Sequence, residues 1–151
     1  MTDRPDVIIV GGGFVGLAAA AALDEVGARV TVLEACAGAN PAFRGELIHP
    51  RGVRALTALK LLDPLLEAGG VRVHGFAVFP PQRVDPIVLP YRAGFGLALD
   101  HEVLVAVMSR ALASRPRVTV RRGARVDGLV FQGRQVVGVR LAGGQEHHAR
   151  L

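Results

Sequence analysis

Apolar and polar positions alternate along this chain in blocks that predict a succession of short elements. Asp6-Val7-Ile8-Ile9-Val10 is an apolar run that breaks into the glycine-rich turn Gly11 to Gly16. An alanine-rich stretch from Leu17 to Leu23 follows, and Gly27 closes it. Ala28 to Leu33, in which Arg29 and Thr31 alternate with apolar residues, returns to a strand pattern that ends at Glu34. The pattern predicts a strand, a tight turn, a helix and a second strand. Ala35 to Pro50 reads as a loop. Between residues 51 and 68, Val53, Leu56, Leu59, Leu62 and Leu66 fall near one helical face. Asp63-Pro64 interrupts that face as an N-cap followed by proline at the first helical position, which predicts two short helices ended by Gly69-Gly70.

Residues 71–99 change character. Val71, Val73, Phe76, Val78, Ile87, Val88 and Leu89 are β-formers punctuated by prolines, which predicts short edge strands and turns. Asp100 then has the position of an N-cap. Behind it Val103, Leu104, Val107, Met108, Ala111 and Leu112 form a wide apolar helical face that Pro116 stops. Val118-Thr119-Val120 is a buried-type strand. Three further strands, Ala124–Phe131, Gln135–Leu141 and Gln145 onward, are joined by glycine turns and read as a β-meander. The chain stops at Leu151 within the third of these and offers only three parallel strands, so it is expected to be the first part of a larger protein. The fold class that follows is α/β, a Rossmann-like fold with a parallel sheet and a β-meander, incomplete as it stands.

Composition narrows the function classes. Half of the 151 residues are hydrophobic and 21% are charged, a globular balance that excludes a disordered chain. No apolar run has the ~18 residues of a membrane span, and the start, Met1-Thr2-Asp3-Arg4-Pro5, lacks the layout of a signal peptide. A cytoplasmic location is the default expectation. Cys36 is the one cysteine, which rules out an internal disulfide and cysteine metal clusters; beside Glu34 it reads as a small buried residue. The net charge of +5 comes from scattered arginines with one lysine, Lys60, and few aromatics accompany them. That combination argues against nucleic-acid binding. His147 and His148 are neighbours on a strand and point to opposite faces, against a shared metal. Oligomeric state is not legible.

The chemistry concentrates in the first block. Gly11 permits the tight turn out of the strand, Gly13 lets the backbone approach a pyrophosphate, and Gly16 lets the helix pack closely on the sheet. Unpaired N–H groups at a helix N-terminus, with its partial positive charge, suit a phosphate. Glu34 follows Gly16 by 18 residues, the spacing at which a carboxylate accepts hydrogen bonds from a ribose diol.

The order of these parts resembles the FAD-dependent monooxygenases that include the aromatic hydroxylases and squalene epoxidase. Val7 to Glu34 is similar to that family's ADP-binding unit, with Ala20, Leu23 and Gly27 at matching places. Arg44-Gly45-Glu46-Leu47-Ile48-His49-Pro50-Arg51-Gly52-Val53-Arg54-Ala55-Leu56 looks most like the squalene epoxidase branch. The resemblance implies that Arg44 lies against the flavin's ribityl and pyrophosphate region, with Gly45 beside it, and that the helix opening at His101 carries a second flavin contact. It adds Phe14 and Val15 of the turn, Ala35 after the ribose acid, and the backbone of Val126 at the adenine edge. The family often has an arginine where Ala35 stands, and many members have one in place of His101.

The resemblance also implies a domain plan: residues 1–70 as FAD-binding domain, 71–99 as the first strands of an inserted substrate domain, and 100–151 as FAD-binding domain continued. The activity it implies is oxygenation of an apolar or aromatic small molecule with O2, FAD and NAD(P)H as electron donor. No catalytic residue stands out within these residues, because in flavin chemistry the cofactor carries the difficult step. Taken without the resemblance, Arg44 is equally a solvated loop arginine, His101 a capping or surface residue, and the Val126 side chain ordinary sheet core. A flavin-dependent dehydrogenase, reductase or halogenase has the same opening unit, and a non-catalytic nucleotide-binding fragment is the alternative of a different class.

Overall fold

The structure, a computed structural model, describes residues 4–38, 44–82 and 84–150. Two compact units divide the chain, one made of Met1–Ala42 with Leu104–Leu151 and the other of Phe43–Val103.

In the first unit, β1 (Val7–Val10), β2 (Val30–Glu34) and β8 (Val118–Arg122) form a parallel sheet with β2 in the middle. Helix α1 (Phe14–Glu25) connects β1 to β2 and buries Leu17, Ala20 and Ala21 completely. The small alanine side chains permit this close approach, and Gly27, at φ +85°, ends the helix by donating its N–H to Asp24. Val30 and Val32 of β2 are likewise buried, as expected for a strand with neighbours on both sides. Leu104, Met108 and Leu112 of helix α4 (His101–Ala113) are fully buried at i, i+4 and i+8, the centre of the wide apolar face predicted for it. The meander is present as β9 (Val126–Gln132), β10 (Gln135–Leu141) and β11 (Glu146–His148), antiparallel throughout. Ala124, Val139 and Leu141 pack with Leu33 of the parallel sheet, and Ile8 and Val126 complete that cluster.

In the second unit, β3 (Gly45–Ile48), β7 (Gly96–Asp100) and β4 (Val71–Val73) make an antiparallel sheet, and β5 (Gly75–Val78) with β6 (Ile87–Pro90) a separate hairpin. Helices α2 (Pro50–Ala58) and α3 (Leu62–Glu67) supply Val53, Leu56 and Leu65 to a core that also holds Ile48, Leu61 and Leu97.

Three expectations are corrected. The loop expected over Ala35–Pro50 contains β3, because Gly45–Ile48 pairs with Asp100–Leu97 far along the chain; residues 39–43 of that loop lie outside the described residues. Asp63 is not an N-cap. The helical run breaks earlier, at Lys60, which adopts φ +59°, and α3 already starts at Leu62, so Asp63 sits in its first turn. Cys36 is exposed rather than buried, since the chain has left the sheet by then.

Candidate functional site

The turn after β1 is built by its glycines. Gly11 takes φ +107°, a conformation closed to most side chains, and its N–H donates to the Leu33 carbonyl at 2.8 Å. A Cβ on Gly16 would run into the Gly11 carbonyl oxygen, with Ile9 Cγ2 at 3.4 Å. Around Gly13 a Cβ would meet nothing within 4 Å. Gly13 is also the N-cap of α1, yet no side chain caps the helix and its first turn holds no acid. Leu17 opens the helical ladder by donating to the Gly13 carbonyl at 3.0 Å. The N–H groups of Phe14, Val15 and Gly16 therefore precede the ladder, at the positive end of the helix. Val15 is exposed and Phe14 half-buried.

Glu34 closes the turn from the end of β2. Its Oε2 accepts the Gly12 N–H at 2.6 Å, and its Oε1 the Cys36 N–H at 2.8 Å. These bonds hold the carboxyl below its ordinary range, the Cys36 N–H most of all, then the Gly12 N–H and the charge of Arg122; partial burial opposes them. Arg122 is the register partner of Glu34 on β8. An ionised carboxylate has about four acceptor sites, so both oxygens retain capacity for a hydroxyl donor. Gly12 was not among the residues expected to matter. A Cβ there would stand 2.8 Å from Glu34 Cβ, so the middle glycine is what lets the acid come up against the turn. A third consecutive glycine before a downstream acid was the available signal. Ala35 follows the acid half-buried, and the Val126 side chain packs in the Leu33 cluster as sheet core.

Arg44, Gly45 and His101 belong to the second unit. The β3–β7 pairing sets Gly45 opposite Asp100, and the His101 N–H donates to the Arg44 carbonyl at 2.9 Å. The Asp100 side chain accepts the Glu102 N–H at 2.7 Å and caps α4, as expected. The His101 ring meets Glu46, Nδ1 to Oε1 at 2.6 Å. The Arg44 side chain and Gly45 are exposed. Glu46 was quoted only as part of a motif; its contact with His101 depends on strand pairing that no local pattern reveals.

Among the described residues there is no group of three His, Cys, Asp or Glu set to hold a metal, and no helix is long and apolar enough to cross a membrane.

A strand, a glycine turn with positive φ, an uncapped helix N-terminus and an acid at the end of the next strand together define a dinucleotide-binding α/β domain. The chain belongs to the FAD binding domain family, whose sequence profile matches residues 4–151. It is 34% identical over 145 residues to 6-methylpretetramide 4-monooxygenase of Streptomyces rimosus, covering 93% of this chain and 35% of that protein. To squalene monooxygenase of Mus musculus it is 31% identical over 138 residues, 87% of this chain and 23% of that one. Among solved structures, p-nitrophenol 4-monooxygenase PnpA from Pseudomonas putida superposes with a TM-score of 0.80 at 25% identity, covering 97% of this chain and 39% of that one. The resemblance drawn from the Val7–Glu34 and Arg44–Leu56 segments thus led to the right family. The chain spans well under half the length of these relatives.

Proposed function

We propose that this chain is the FAD-binding portion of a flavin-dependent monooxygenase that oxygenates an apolar or aromatic small molecule, with NAD(P)H as donor and the cytoplasm as its setting. The observation that carries the reading is the uncapped N-terminus of α1 beside an ionised carboxylate, in a chain whose relatives are monooxygenases. The residues fit FAD: open space at Gly13 admits a pyrophosphate to the Phe14, Val15 and Gly16 amides, and Glu34 accepts the adenosine ribose hydroxyls. Ala35 flanks that ribose and the Val126 backbone lies along the adenine edge. Arg44 supports the pyrophosphate and ribityl stretch by charge, with Gly45 giving it backbone access, and His101 contacts the ribityl chain. When bound, FAD supplies electron transfer and the activation of oxygen; the chain's part is to bind, orient and hold charge. Residues 1–70 and 100–151 serve the cofactor in this plan, and 71–99 begin the substrate domain.

Three measurements test the reading. Oxygen from labelled O2 should appear in the product of the holoenzyme with consumption of NADH or NADPH; flavin reduction with only peroxide released would contradict it. Glu34→Gln should weaken FAD binding by about tenfold or more, since bonds to a charged acceptor are worth about 1.5–3 kcal/mol. The pH dependence follows from the lowered Glu34 value. A carboxyl depressed on folding gives stability that is complete above its unfolded value of about 4.3 and is lost as pH falls through the lower folded value. Glu34 therefore leaves FAD binding flat from neutrality to about pH 5 and weakens it only in the acid range. A fluorescence titration across pH should show that acid limb in the native chain and not in Glu34→Gln.

A further inference from the structure

We infer that Glu46 is a positioning residue for His101: it fixes the imidazole proton on Nδ1 and so makes Nε2 an acceptor for a hydroxyl of the cofactor's polyol chain. The inference rests on the reading of His101 as an FAD contact. Its observations are local to the second unit. The backbone of His101 is tied to the residue before β3 by its N–H bond to the Arg44 carbonyl, and the Asp100 cap fixes the helix turn that begins there. The ring is then oriented by Glu46, whose Oε1 lies 2.6 Å from Nδ1, a charge-assisted contact with His101 four-fifths withdrawn from solvent.

A carboxylate can only accept, so the proton in this contact belongs to Nδ1. In the neutral ring Nε2 then carries a lone pair and no proton. Such a nitrogen accepts from a hydroxyl and has nothing to donate to a phosphate oxygen. Histidine set this way addresses a polyol, since its free nitrogen accepts a hydroxyl proton and has none to offer a phosphate. Without Glu46 the ring would return to the Nε2–H form that free histidine favours, and the acceptor would be lost.

Long-range proton–nitrogen spectra of the 15N-labelled chain read the tautomer directly. The expected result is Nδ1–H in the native chain and in Glu46→Gln, whose amide oxygen still accepts, and Nε2–H in Glu46→Ala. Added FAD should shift His101 Nε2 in the first two, and Glu46→Ala should bind FAD about fivefold more weakly, the worth of one hydrogen bond. An Nε2–H ring in the native chain, or an unchanged tautomer in Glu46→Ala, would overturn the inference; should the alanine variant fail to fold, the native spectrum and Glu46→Gln still decide. FAD that shifts the Gly13 and Gly16 amides but not the His101 ring would overturn it while leaving the dinucleotide site intact. FAD that moves no resonance would overturn the site and the inference together.

Discussion

Gly16→Ala is expected to destabilise the chain by roughly 1–3 kcal/mol, the usual cost of overpacking, and to lower FAD affinity by at least about tenfold. The methyl group would enter the space of the Gly11 carbonyl oxygen, with the Gly11 carbonyl carbon at 3.1 Å and Ile9 Cγ2 at 3.4 Å. None of these can swing aside as the end of a long side chain would. Gly11 is pinned by its bond to Leu33 and by its positive φ, and Ile9 is β-branched and part of β1. The strain is relieved only if α1 rides away from the strand, which moves the amides at its N-terminus. Urea unfolding gives the stability change and flavin fluorescence titration the affinity; an alanine variant equal to the native chain in both would show that the turn is looser than its geometry.

Asp24→Ala is expected to cost about 3 kcal/mol, near the lower end of the range for removing one partner of a buried ion pair. Asp24 is the one buried charged residue among those described, at 6% exposure, and it stands in the last turn of α1, where a negative charge opposes the helix dipole. Two arginines from the segment after α4 make it tolerable. Arg115 Nη1 lies 3.1 Å from Oδ2, and Arg117 Nε lies 3.0 Å from Oδ1 as an ion pair without hydrogen-bond alignment. Arg117 Nη2 also donates to the Asp24 carbonyl at 2.9 Å. The loss stays below the upper values because Arg117 is half-exposed and Arg115 retains Glu25 at 3.0 Å. Equilibrium unfolding in urea measures it, and a change under 1 kcal/mol would mean that water replaces the pair at little cost. A loss of this size is a large share of a typical domain's 5–15 kcal/mol.

What the sequence made legible follows how local each determinant is. Strand, turn, helix and acid between Val7 and Glu34 lie within one short stretch, and Gly16 answers to Gly11 and Ile9 a few residues before it. The α4 face was equally readable, since Leu104, Met108 and Leu112 repeat at helical spacing and Asp100 caps them. β3 was not, because Gly45-Glu46-Leu47-Ile48 has no alternation of its own and becomes a strand only by pairing with residues 97–100. The helix break was misplaced for a different reason. Asp63-Pro64 is a strong start signal, but the left-handed turn at Lys60, an ordinary residue with no turn preference, had already broken the run. Asp24 showed no signal at all: an Asp-Glu pair at the end of an alanine-rich helix says nothing about arginines some ninety positions away. Gly12 and Glu46 share that lesson, since each matters through a side chain that only the folded chain brings up to it.

Calorimetric titration of FAD into the native chain and into Gly13→Ala tests the central claim most directly. Gly13 has ordinary extended backbone, φ −77° and ψ −175°, and empty space where its Cβ would be. An alanine there should cost folding no more than about 1 kcal/mol, the N-cap preference for glycine over alanine, while its methyl group occupies the approach of the pyrophosphate. The predicted result is saturable one-to-one binding that ADP displaces in the native chain, weakened at least about tenfold, or by some 1.4 kcal/mol, in Gly13→Ala. Equal FAD affinity in the two chains, or native binding that ADP does not displace, would contradict it.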